Sequence, residues 1–146
     1  MKIYLLILIT TLLMSFSGLS NALTVSCGAS NGYAYYFEGG LVQKKDSGFT
    51  KDSISNGKFS LTVNDEGEAD ILTIDATGTI KSATSQGGNV ALFSAGDGGF
   101  NWLVAYGDGT LEVYSYNVSS NSVAAYRNTV GNPNIAKNSL FVSDCD

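Results

Sequence analysis

The chain has 146 residues, 13 acidic and eight basic, for a net charge of −5, and it contains no histidine. No basic patch exists. The longest run is Lys44-Lys45, followed directly by Asp46, which argues against a nucleic-acid or anionic-membrane partner. Without histidine there is no Ser-His-Asp or Cys-His catalysis and no His metal site, and the sequence implies no cofactor.

Residues 1–22 read as a secretory signal peptide. Met1-Lys2 supplies a positive start, Ile3 to Met14 are apolar except for Thr10 and Thr11, and Ser20-Asn21-Ala22 has small residues where a signal peptidase reads. The apolar run is too short for a spanning helix, which needs about 20 residues. Removal of this leader leaves residues 23–146 as a single domain, secreted or periplasmic and free of the membrane, with seven basic and 13 acidic residues. A rival reading takes Thr24-Val25-Ser26-Cys27 as a lipoprotein site, but Thr24 stands where such sites carry Leu, and a lipid on Cys27 would leave Cys145 unpaired. In an oxidising compartment the two cysteines are expected to join, which brings the two ends of the domain side by side.

Almost nothing reads as helix. Gly28-Ala29-Ser30-Asn31-Gly32 matches the G-x-S-x-G elbow pattern, but with no histidine it reads as a loop entering the first strand. Strands are expected at 33–38, 58–64, 69–75, 79–83, 90–95, 100–106, 110–118, 122–129 and 139–143. Lys58 to Asn64 alternates without a fault, with Phe59, Leu61 and Val63 on one face. Asp108-Gly109 is a tight-hairpin signal, because both positions tolerate positive φ. Ser119-Ser120-Asn121 turns the next pair, and the lone proline, Pro133, suits paired strands. The consecutive apolar residues Ala91-Leu92-Phe93 and Trp102-Leu103-Val104 point to strands covered on both faces or flanking a cavity. The expected fold is all-β: one antiparallel meander of about eight strands closed into a small barrel, with a β-sandwich as the alternative, its termini joined by Cys27–Cys145.

Candidate functional residues are few. The acidic turn Asp65, Glu66, Glu68, Asp70 has calcium-type ligands but lacks the EF-hand ladder, and a solvated turn explains it. Asn117-Val118-Ser119 is a glycosylation sequon that matters only in a source with that machinery. Glu38 and Glu112, each beside aromatics, would be the acid and base of a histidine-free glycan hydrolase or lyase. Tyrosine and tryptophan suit ligand cavities and interfaces, and Trp102, Tyr106, Tyr114 and Tyr116 are the candidate binding residues. Tyr114 and Tyr116 are expected to be exposed, with Leu111 and Val113 in the core. The leading expectation is a non-enzymatic module for a small ligand or a protein. A glycan-cleaving enzyme and a secreted inhibitor or effector are the alternatives.

Overall fold

A computed structural model describes residues 22–75 and 77–146, so of the expected leader only Ala22 falls within it. Ten strands form one antiparallel sheet: β1 (Leu23–Tyr36), β2 (Gly48–Ile54), β3 (Lys58–Val63), β4 (Ala69–Ile74), β5 (Ile80–Ser82), β6 (Gly88–Gly96), β7 (Gly99–Tyr106), β8 (Leu111–Asn117), β9 (Ser122–Asn128) and β10 (Lys137–Cys145). Among the described residues the only helical element is one short 3-10 turn, Lys44–Asp46.

The strand order is β5-β4-β3-β1-β10-β9-β8-β7-β6, with β2 also paired to β1. Two meanders, β3 to β5 and β6 to β10, are therefore stitched together by the chain's first strand. β1 is long enough to serve three neighbours. One edge pairs with β10 along most of its length, and the other pairs with β3 over Leu23–Cys27 and with β2 over Ser30–Tyr36. The register of β1 against β10 shifts between Cys27 and Ser30, and such a bulge sharpens bend and twist. A second irregularity, between Leu92 and Ser94, interrupts β6 against β7 and puts Phe93 on the surface.

The sheet curls into a half-barrel. Its two ends approach where Ala83 N–H donates to the Ile71 carbonyl and Gly88 N–H to the Ala83 carbonyl, each at 2.9 Å. Among the described residues no ladder joins β5 to β6, so the curl is completed by packing. Trp102 bridges the interior: it lies on β7 with no exposed surface, and its indole N–H donates to the Thr62 carbonyl on β3 at 3.3 Å. Val25, Leu61, Ile71, Val104 and Val123 pack in the same cluster. Cys27 and Cys145 face one another across the β1–β10 ladder and form the expected disulfide, which spans 118 positions of sequence. That bond occupies the sulfur the lipoprotein reading would need.

Two expectations are corrected. The segment Gly28–Gly32, expected as a loop, belongs to β1, which starts ten residues before the expected first strand. At Gly32 the absence of a side chain is a packing requirement: a Cβ there would lie 1.9 Å from the Leu140 carbonyl oxygen of β10. Strand β2 was not anticipated. It has no fully buried residue, and Phe49 is 82% exposed, so no strong in–out alternation marks it. The Asp108-Gly109 hairpin forms as expected, with Gly109 at φ 84°, and Asn121 turns the next pair at φ 46°.

Candidate functional site

The pairing register defines rows of side chains across the concave face. One row runs Ala34, Ser139, Arg127, Glu112, Val104, Val90 across β1, β10, β9, β8, β7 and β6. The next, deeper row runs Gly32, Phe141, Ala125, Tyr114, Trp102, Leu92. The deeper row is mainly apolar, and the shallower one holds an ion pair near its middle. Between these rows and the β2–β5 side lies a cavity of about 460 Å³, a size that suits a small organic ligand. Its walls include Phe59, Ile71 and Phe141, and its charged groups are Asp52 on β2, Lys58 on β3, Lys81 on β5, Glu112 on β8, Arg127 on β9 and Lys137 on β10.

Glu112 is the most buried charge in it, 6% exposed. Arg127, its direct cross-strand partner, forms an ion pair with it, Nε lying 2.9 Å from Glu112 Oε1. The Tyr114 hydroxyl donates to Glu112 Oε2 at 2.8 Å. Both carboxylate oxygens are thus engaged. Burial first, and the Glu112 charge second, push the Tyr114 hydroxyl well above the ordinary tyrosine range. Burial and the same carboxylate also raise Tyr106. Both phenols therefore remain protonated donors at neutral pH.

A second cluster sits at the β1–β2–β10 side. Asp52 Oδ2 accepts from the Lys137 ammonium at 3.1 Å and from the Tyr36 hydroxyl at 3.1 Å, and Oδ1 accepts from the Ser53 amide at 2.9 Å. Partial burial pulls the Asp52 pKa up, but the Lys137 hydrogen bond and charge, with Tyr36 and Ser53, outweigh it and leave it lowered. The Lys137 ammonium also lies over the Tyr36 ring, 5.1 Å from its centroid.

The structure divides the four aromatic candidates. Tyr106 and Tyr114 line the cavity. Trp102 is sealed in the core, and the Tyr116 hydroxyl donates to Asn121 at 2.9 Å, away from the cavity wall. The expected faces of β8 are reversed: Glu112, Tyr114 and Tyr116 point inward, while Leu111 and Val113 lie on the convex face. The physical reason is that this end of the concave face holds a polar network, and apolar residues such as Leu103, Val113 and Leu140 cover the outside instead. Glu38, the proposed partner of Glu112 in glycan chemistry, follows β1 on an exposed segment and does not line the cavity. Sequence reading missed Arg127, Asp52 and Lys137, whose only signal is that each charge stands on a strand.

The acidic turn is built by its neighbours. Asn64 Oδ1 accepts from the Glu66 and Glu68 amides, and Asp70 receives Ser82, Thr84 and Ile71. Among the described residues no group of three or more His, Cys, Asp or Glu is placed to hold a metal ion. In the sequon, Asn117 Oδ1 accepts from the Ser120 amide and hydroxyl in an exposed turn. A second, more open cleft of about 1090 Å³ follows the seam between β3–β4 and β6, and its only charged lining residues are Glu68 and Asp70, whose hydrogen bonds hold turns together. No protein-family model, curated protein or solved structure matches this chain.

Proposed function

We propose that residues 23–146 act outside the cytoplasm as a non-enzymatic small-ligand-binding module whose receptor is the concave cavity. The carrying observation is the cavity itself: about 460 Å³, part apolar and part polar, with Glu112 held in position by an ion pair to Arg127 and a hydrogen bond from Tyr114. Preorganised polar groups on rigid strands, beside an apolar wall, favour selective binding of one ligand class. Export accords with the disulfide, which persists in oxidising compartments. Full engagement of both Glu112 oxygens favours a positioning role over proton transfer.

The test is a thermal-shift screen of small molecules against the disulfide-bonded protein and an Ala125→Phe variant. Ala125 lines the cavity between Phe141 and Tyr114, so a phenyl ring there fills the space. Ligands that raise the melting temperature of the native protein and leave the variant unmoved support the reading. Hits that shift both equally, or no hits at all, refute it.

One observation favours a protein partner instead. On the outer side of β1 and β2, Tyr35 meets Phe37 and Phe49 edge to face, each at 5.0 Å, in an exposed aromatic group. That reading expects a Phe49→Ser substitution to abolish capture of one specific protein while leaving the cavity's ligands unaffected.

A further inference from the structure

We propose that the cavity takes an organic anion, with an apolar body and a carboxylate, phosphate or sulfonate head. This rests on the cavity's being the ligand site and adds the chemistry of what enters it. Hydrogen-bonding capacity favours an anion. Both carboxylates of the cavity are engaged at both oxygens: Glu112 by Arg127 and Tyr114, and Asp52 by Lys137, Tyr36 and Ser53. The donors are not. Arg127 meets Glu112 through Nε, and among the described residues no hydrogen bond engages its two terminal amino groups. The Tyr106 hydroxyl has no hydrogen-bond partner among them either. The Ser139 hydroxyl, on the strand position facing Arg127, is buried with no hydrogen-bond partner among the described residues. A guanidinium with a free edge is suited to a two-oxygen anion.

The distribution of charge favours an anion as well. Of the seven basic residues in 23–146, four line this cavity: Lys58, Lys81, Arg127 and Lys137. Of the 13 acidic residues only two do, Asp52 and Glu112. A domain that is strongly negative overall therefore surrounds one cavity with an excess of positive charge. Such a contrast focuses an anion toward that mouth and repels it elsewhere. Among the described residues the one ion pair of Lys81 is to Asp75, at 3.8 Å on the open surface, and Lys58 has none. Phe59, Ile71 and Phe141 supply the apolar wall for the body.

The experiment is calorimetric titration of the exported, disulfide-bonded protein with decanoate, decanol, decyltrimethylammonium and inorganic phosphate. Decanoate is expected to bind about tenfold or more tighter than decanol, with the ammonium analogue weaker still. Inorganic phosphate alone is expected to bind much more weakly than decanoate. The Lys58→Gln/Lys81→Gln variant, altered only at exposed positions, should weaken decanoate several-fold and leave decanol unchanged. Arg127→Lys, which keeps the charge but loses the fork, should weaken decanoate too. Equal binding of decanoate and decanol, or indifference to both sets of substitutions, overturns the anion inference while the cavity reading survives. Phosphate binding as tightly as decanoate overturns the apolar body. Failure of every probe, together with failure of the thermal-shift screen, removes the cavity reading itself.

Discussion

Removing Arg127 should harm the fold more than removing the carboxylate it serves. The Arg127 side chain is 54% exposed and that of Glu112 only 7%. In Glu112→Gln the freed guanidinium is rehydrated where it stands, and the Tyr114 hydroxyl can still donate to the amide oxygen. The loss is one charged hydrogen bond, about 1–2 kcal/mol. In Arg127→Gln a buried carboxylate loses its counter-charge and keeps only Tyr114. Breaking a fully buried pair in this way costs about 3–5 kcal/mol, and the open side of the cavity lowers this to about 2–4 kcal/mol. The double variant removes the stranded charge, so its stability should return to within about 1 kcal/mol of Glu112→Gln. Urea unfolding followed by tryptophan fluorescence measures all three, because Trp102 is the only tryptophan and is sealed in the core. Equal losses in the two single variants, or a double variant as weak as their sum, would refute the account of Glu112 as a charge held by Arg127.

Reduction of the disulfide, or a Cys27→Ser/Cys145→Ser variant, should cost about 5 kcal/mol in the loop-entropy model for a closure of 118 positions, read from paired urea melts with and without reductant. Asp70 gives a pH dependence. Its burial raises the pKa, but hydrogen bonds from Ser82, Thr84 and Ile71 outweigh this and leave it lowered. A carboxyl depressed in the folded state contributes stability that is present above its unfolded pKa, near 3.9, and is lost as pH falls through the folded value. Acid unfolding of Asp70→Asn should therefore show a shallower loss below about pH 4 than the native protein, and identical curves would contradict the shift. Gly32→Ala should destabilise by about 2–4 kcal/mol, because its methyl group would meet the Leu140 carbonyl of β10. A neutral result in chemical denaturation would show that β1 and β10 can part locally at little cost.

The strands legible in the sequence are those whose faces differ. Lys58–Val63 alternates because β3 presents Phe59, Leu61 and Val63 to the core, and the Asp108-Gly109 turn declares itself through a glycine that must take positive φ. β2 stayed hidden because it covers no core and carries Phe49 outward. Gly28–Gly32 of β1 reads as a loop because its glycines resemble turn residues, although at Gly32 the requirement is a neighbouring backbone. On β8 the apolar residues Leu111 and Val113 were expected inside, and the structure puts Glu112 and Tyr114 there. Hydropathy alone assigns the wrong face wherever an ion pair occupies the interior. Two of the four aromatic candidates, Tyr106 and Tyr114, stand in the cavity wall.

The sequence by itself determined the all-β class, the turn positions, the pairing of Cys27 with Cys145 and the absence of histidine chemistry. These follow from local patterns, from backbone conformations only certain residues adopt, and from a count of two cysteines. Tertiary structure alone decided that β1 lies between β10 and β3, that the sheet curls around a cavity, and that Asp52, Glu112, Arg127 and Lys137 meet there. Those four residues come from four strands, and only long-range ladders and the curl of the sheet bring them together. Inter-strand register is a property of pairs of segments, so no single segment carries it.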